Sequence, residues 1–515
     1  MQYLVKAQQP SIWSRVKGIF GAGSWYEMPA VDSPYRSTSR ESPVAREWHA
    51  ASSNADEALL PVLGTLRDQS RDLDRNESIA RGALENYVTN VVGDGLRPQS
   101  RIDHELIGIP EDRARQFERR AEKIFALHMA KNTADFHGKA NFATLQAQAL
   151  RSSMLDGDCL AIRRHRERPG AILPTCVQIV EGARVQNPSI GINPKTDIRE
   201  GVELDSTGMP VAYHVGKTGV DRFIGSETVR APRFDSEGVA AVLHLFQQRL
   251  PEQSRGEPFL TPVIEKFKQI SRYSEAEISA AVINAFFATY VTSEMGGVFG
   301  DRSKAHLVRP DDEKPRERKI HKFGPGMMVE LLPGEKLDGG SPGRPNANFD
   351  AFVQAVLKQI GIGLSIPYEV LTQHFSSSYS AARAAILEAW KVFRVRRAWL
   401  VTEFCQPVWE WILTDAIRDG LLEAPGFDDP LKRQAYFAAQ WCGTEMEAID
   451  PLKEAKANQT EIETGVKSRR FIVESQGRDY DKQQQEYEEE AKIFKPEFGQ
   501  QNTPNSRNSK QIQNE

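Results

Sequence analysis

The stretch NFDAFVQAVLKQIGIGLSIPYEVLTQHFSSSYSAARAAILEAWKVFRVRRAWLVTEFCQPVWEWIL, residues 348–413, decides the fold. Its first part places Phe349, Phe352, Val353, Val356, Leu357 and Ile360 at helical spacing, with Asp350, Gln354 and Lys358 opposite, which is one apolar face of an α-helix. Gly361, Gly363 and Pro367 stop it between Ile360 and Ile366, because glycine is costly in a helix and proline has no donor. From Pro367 to Tyr379 the run PYEVLTQHFSSSY offers hydroxyls that compete for backbone hydrogen bonds, and it predicts a moving loop. Ser380 is placed to cap a second helix from Ala381 to about Leu413, with a kink at Pro407. The pattern is a loop held between two rods.

Working outward, residues 261–294 read as one helix, with Thr261 as cap and Pro262 at its first position. At about 1.5 Å per residue it would reach roughly 51 Å, a length that suits a strut. Between the struts, residues 295–346 turn to Gly, Pro and charge, with a strand expected at Met327–Leu332 and an exposed run RPDDEKPRERK. Residues 56–92 are helical by period until Gly93, Gly95 and Pro98 break the pattern. CLAIRRH, CVQIVEG, GVELD, VAYHV and VLHLF then alternate as strands between 155 and 250, with a hairpin at Asp205–Gly208. The fold class is therefore α+β.

Composition narrows the function. The chain of 515 residues carries a net charge of −4 with both signs mixed, so it lacks the basic footprint of a protein that grips nucleic acid. Cys159, Cys176, Cys405 and Cys442 are too sparse for a disulfide framework and fit a reducing cytoplasm. No apolar run reaches the roughly 18 residues of a membrane span, and the first thirty residues lack a secretory core. Ile12, Trp13, Val16, Ile19 and Phe20 form one amphipathic patch in residues 1–45, read as an arm packing on a neighbouring subunit or disordered rather than as a membrane helix.

Catalytic patterns are fragmentary. Gly216-Lys217-Thr218 matches the end of a phosphate loop, but Val211 stands where that loop needs glycine, so a hairpin end is the better reading. Asp311 and Asp312 beside Lys314 imitate a metal-dependent nuclease signature packed too closely to converge on one metal. No HExxH, paired CxxC or GxSxG occurs, and no metal, cofactor or catalytic residue is assigned. Trp390, Phe393, Trp399, Phe404, Trp409 and Trp411 sit at helical spacings and read as core.

Several blocks resemble the lambda-type portal proteins of tailed bacteriophages. They are GIGLSIPYEVLTQHFSSSYSAARAAILEAWKVFR with WLVTEFCQPVWEWIL, RDLDRNESIARGALENYVTNVVGDGLRPQSRID (71–103), IREGVELDSTGMPVAYHV (198–215) and VLHLFQQRLPEQSRGEPFLTPVIEKFKQI (242–270), in one consistent order over roughly 45–480. The resemblance implies an arm (1–45), a wing (46–260), a stem helix (261–294), a clip (295–346), a second stem helix (347–366) and a tunnel loop (367–380). A kinked helix with wing return (381–429), a crown-like helical region (430–495) and a disordered tail (496–515) follow. It also implies a dodecameric ring at one capsid vertex of the virion, assembled in the host cytoplasm. Double-stranded DNA would pass through it without sequence recognition.

On the same resemblance, the partners are the terminase large subunit, major capsid and scaffold proteins, and head-completion or tail adaptors. Thr372, Gln373, His374, Phe375, Ser376, Ser377, Ser378 and Tyr379 would lie near DNA. Phe267, Ile270, Ile278, Phe352, Val356 and Ile360 would pack the stem, and Arg309, Asp311, Asp312, Arg316 and Arg318 would face terminase or adaptor. The alternatives are another capsid or scaffold protein, or a packaging-associated nuclease or ATPase.

Overall fold

The computed structural model describes residues 53–188, 197–217, 227–286, 290–293, 335–338, 348–375, 378–444 and 451–493, apart from 477 and 479. In α1 (Leu63–Asn76), Leu63, Arg67, Ser70, Leu73 and Asp74 recur on one face and are buried together. The next helix, α2 (Ser78–Val91), buries Ala80, Ala83, Leu84, Tyr87 and Val91 by the same periodicity. Strand β1 (Arg97–Ser100) leads to α3 (Glu111–Met129) and α4 (Phe142–Asp156). The Asn141 side chain accepts from Thr144 N at 3.0 Å and starts α4 by satisfying one orphan donor.

The five expected strand runs become β2 (Asp158–His165), β3 (Thr175–Glu181), β5 (Val202–Leu204), β6 (Pro210–Gly216) and β8 (Val242–Phe246), and two strands without an expected counterpart, β4 (Asp197–Arg199) and β7 (Thr228–Pro232), join them. Two antiparallel sheets result, with orders β3-β2-β8 and β4-β5-β6-β7. The β5–β6 turn forms where expected, with the Asp205 carboxylate accepting from Thr207 N at 2.8 Å and Met209 N at 2.9 Å. Leu160, Ile162, Val180, Val202, Tyr213 and Val242 make a small core between the sheets. Cys159, Ala161, Val177 and Leu245 join the main helical core instead, as period-two alternation requires.

The first rod is shorter than the sequence suggests. A 3-10 turn at Thr261–Val263 precedes α5 (Ile264–Phe286), and Tyr290–Ser293 leaves the helix as β9, paired antiparallel with β10 (Glu335–Asp338). Tyr, Val and Thr favour that pleated geometry. Thr261 does not cap the rod; its hydroxyl donates to Pro258 O at 2.7 Å. The strand expected at 327–332 lies outside the described residues.

The second rod, α6 (Phe349–Gly363), runs through Gly361 because its next segment folds back on it. A Cβ on Gly361 would stand 2.6 Å from the Ile366 carbonyl oxygen, a backbone atom that cannot easily move. Gly361→Ala should therefore cost about 1–3 kcal/mol through overpacking, read as a lower midpoint in chemical denaturation at unchanged helix content.

The segment expected as a loop carries a short helix, α7 (Tyr368–Thr372). Ser378, not Ser380, caps α8 (Tyr379–Leu400), accepting from Ala381 N at 3.4 Å. The kink expected at Pro407 takes the form of a π-helical turn over Val401–Cys405, immediately before α9 (Gln406–Arg418), which absorbs the donor that proline lacks. Trp409 and Trp411 are fully buried, and their indoles donate to Phe437 O at 3.1 Å and Ala240 O at 2.8 Å. Phe393 and Phe404 are also buried, so the aromatic stripe is core.

The boundary expected at 430 falls inside the body. Helix α10 (Pro430–Phe437) buries Tyr436 and Phe437, and β11 (Ala439–Cys442) pairs antiparallel with β1. Only then come α11 (Pro451–Glu463), α12 (Arg469–Ser475) and α13 (Tyr480–Ile493). Arg101 reaches them with ion pairs to Glu474 at 2.9 Å and Asp481 at 3.5 Å.

Candidate functional site

The segment between α6 and α8 is fixed at its base on α2. Tyr87 on α2 donates its hydroxyl to Leu364 O at 2.7 Å, and Asn86 donates its side-chain amide to Val370 O at 3.0 Å. Leu371 is the buried residue of α7. The chain then turns through Gln373, whose φ of 54° is left-handed, and His374 N closes the turn on Glu369 O at 3.1 Å. Phe375, before the undescribed residues 376–377, and Tyr379, at the start of α8, are 48% and 50% exposed. Ser378 serves the α8 cap, whereas Ser376 and Ser377 lie outside the described residues. From Gln373 to Tyr379 the sequence has no Lys or Arg.

Helix α8 is locked to α2 by two arginines. Arg397 donates to Asn90 O at 2.8 Å, Val91 O at 2.9 Å and Thr444 O at 2.7 Å, placing a cation on the carbonyl end of α2. Arg396 lies over the rings of Tyr87 and Phe259, at 5.7 and 5.1 Å, and burial lowers its guanidinium pKa.

The six residues read as packing the rods divide into two groups. Phe267, Ile270 and Ile360 are buried in the main core, and Val356 packs against it half-buried. Ile278 and Phe352 are 64% and 49% exposed, although Phe352 meets the Tyr273 ring edge-on at 4.9 Å. Arg309, Asp311, Asp312, Arg316 and Arg318 fall outside the described residues.

One charge cluster went unread in the sequence. Asp158, wholly buried at the start of β2, receives Arg67 at 2.8 Å, Arg255 at 2.6 and 3.1 Å, and His244 at 3.2 Å. Gly256 N adds a further donor at 3.2 Å. Arg255 also donates to the carbonyls of Val185 at 3.0 Å and Gly182 at 2.8 Å. Arg71 grips Asp156 with two bonds of 2.7 Å. Burial alone would raise the Asp158 carboxyl, but Arg255 and Arg67 hold it well below the usual carboxylate range. Gly182 has no room for a side chain because Asp158 lies against it. The cluster ties α1 and α4 to both sheets.

Among the described residues, no group of three His, Cys, Asp or Glu could hold a metal ion, and no described helix is long and apolar enough to cross a membrane. All four cysteines are buried free thiols, and burial pushes those of Cys159 and Cys405 well above their usual range, away from nucleophilic thiolate.

The lambda-family phage portal protein model matches residues 41–397. The chain belongs to that family. Its portal relatives include the portal protein of Escherichia phage N15, 26% identical over 84% of this chain and 85% of the relative. Portal protein B of Escherichia phage lambda is 24% identical over the same shares, and a probable portal protein of Halomonas phage phiHAP-1 is 23% identical over 92% of each. Among solved structures, a chain of the neck of a native gene transfer agent particle, computed with C12 symmetry, aligns with TM-score 0.42 and 11% identity. That alignment covers 78% of this chain and 90% of the other. A chain of the empty-particle neck, computed with C6 symmetry, gives 0.44 and 13%, covering 77% and 89%. The α+β portal reading and the portal function thus stand on family membership, and the portal family is structural rather than catalytic.

Proposed function

We propose that this portal protein closes into a dodecameric ring at one capsid vertex, and that double-stranded DNA passes along its axis during packaging and ejection. The observation that carries the reading is the segment from Gln373 to Tyr379. It is anchored at its base on α2 and α8, exposes Phe375 and Tyr379, and carries no Lys or Arg. A duplex driven by a motor must slide, and each phosphate neutralised by Lys or Arg adds affinity through counterion release that several contacts would turn into a brake. Gln, His and Ser give weak backbone contacts without sequence readout.

Cyclic closure needs head-to-tail contacts between unlike faces. Of the six rod residues, the exposed Ile278 and Phe352 are available for a neighbouring subunit, whereas Phe267, Ile270 and Ile360 serve the subunit's own core. The terminase large subunit and later adaptors would dock on the clip through Arg309, Asp311, Asp312, Arg316 and Arg318. Capsid and scaffold proteins would meet the wing. The role is structural and non-enzymatic, in the virion after assembly in the host cytoplasm.

Imaging of purified protein down its symmetry axis tests this. Closed rings with a central hole are expected, and in the presence of procapsids one ring should occupy one vertex. Monomers that never close, or shells without a hole, would overturn it.

A further inference from the structure

Two separated segments bring cations to one surface. The connection between α3 and α4 supplies Lys131, His137 and Lys139, and the end of β2 with its turn toward β3 supplies Arg164, Arg166 and Arg168. The segments meet because Asp135 and Val177 form a parallel bridge, with Phe136 N donating to Val177 O at 2.9 Å. Arg168 fastens the joint by donating to Thr133 O at 3.3 Å and Asp135 O at 2.6 Å. The Phe136 ring centroid lies 5.7 Å from the guanidinium carbons of both Arg164 and Arg166, and the His137 ring meets it edge-on at 5.2 Å.

These charges are open and uncompensated. Lys131, Lys139, Arg164 and Arg166 are exposed, and none of them forms an ion pair among the described residues. Of the two carboxylates in these segments, Asp135 is buried and accepts from Lys139 N at 2.9 Å, while Glu167 pairs with none of the cations. Arg166 gives one Nη1 bond to Phe136 O at 3.2 Å and Arg164 gives Nε to Gln178 at 2.9 Å, so each keeps further N–H groups for a ligand. The whole chain carries a net charge of −4, so the cluster is a local segregation of positive charge on a nearly neutral protein.

We propose that Lys131, Lys139, Arg164 and Arg166 form a contact for the phosphate backbone of double-stranded DNA, distinct from the segment Gln373–Tyr379. A backbone contact needs positive charge and no sequence readout, and this surface supplies the charge. A docking acidic peptide would need an apolar anchor as well, and Phe136 is already engaged by Arg164, Arg166 and His137. Several such cations would brake a moving duplex, so the contact belongs to DNA at rest in the filled head rather than DNA in transit. The inference rests on the portal reading for the identity of the polyanion.

Fluorescence anisotropy of a short labelled duplex on the full-length protein tests this, with affinity followed from about 50 to 200 mM KCl. Each neutralised phosphate contributes about −0.9 to the slope of log affinity against log salt. Lys131→Gln, Lys139→Gln and Arg166→Gln combined should make that slope shallower by roughly 2.7 and weaken binding at least about tenfold at the low-salt end. Arg166→Lys, which keeps the charge, should leave the slope unchanged. Should the triple variant fail to fold, the two lysine changes alone, at exposed side chains, should remove roughly 1.8 from the slope. An unchanged slope in the glutamine variants, or displacement of the duplex by poly-glutamate at equal or lower charge concentration, would overturn the proposal. Imaging the same samples for rings separates two failures. Closed rings whose variants bind DNA as the parent does sink the patch alone, whereas a monomeric parent sinks the ring and leaves the slope comparison to decide the patch.

Discussion

Asp158→Asn should cost about 3–5 kcal/mol in unfolding free energy, the largest stability loss expected of a nearly isosteric change in this chain. The substitution keeps the volume but removes the counter-charge from Arg67 and Arg255, whose side chains are 6% and 0% exposed. Two buried guanidinium groups would then have no carboxylate at the hub. Denaturant unfolding of the variant measures it, and a loss under 1 kcal/mol would show that water or a shifted neighbour compensates. Arg71→Gln should cost less, because Arg71 is 22% exposed and water can replace part of its pairing with Asp156. The acid limb follows from the same group. Its folded pKa lies below the unfolded value of about 3.9, so its contribution is complete above that value and is lost as pH falls through the folded pKa. The Asn variant should therefore show a flatter decline below about pH 4 than the parent, a slope measurable by acid titration of the fluorescence midpoint.

Removing residues 373–377 should reduce DNA-filled heads by at least about tenfold while rings still form, an effect of more than roughly 1.4 kcal/mol on the packaging step. The deletion leaves Ser378 to cap α8, and it spares Tyr87, Asn86 and the buried Leu371, so the base of the segment keeps its tethers. Counting filled and empty heads by electron microscopy separates this from an assembly defect. Unchanged packaging would remove the segment from the mechanism, and replacing Gln373 and His374 by Arg should instead slow translocation with a dependence on salt.

Local patterns in the sequence carried much of this architecture. Helical spacing located α6 and the stretch 56–92 that holds α1 and α2, though not its division at Glu77, and alternation located β2, β3, β5, β6 and β8, because those signals lie within one element. The misses were non-local or competitive. β1 and β11 are paired although Arg97 and Cys442 are far apart in the chain, and no local signal announces that partner. Tyr290–Ser293 follows a strong helix former run, yet its β-branched residues leave the helix for β10. Ser378 and Ser380 are chemically equal caps, and no local signal in the sequence separates them. Asp158, Arg67 and Arg255 look like ordinary surface charges until the fold buries them; the one sequence hint is a carboxylate opening the apolar run CLAI.

Packing has also left the molecule convenient to label. Each native sulfhydryl sits inside the protein, so maleimide should find none of them in the folded state. A single cysteine placed at an exposed position such as Val395 would become the unique attachment point for a dye, with the parent chain as its own blank. Distances between dyes on successive subunits could then be followed as a genome moves, with no need to build a cysteine-free background first.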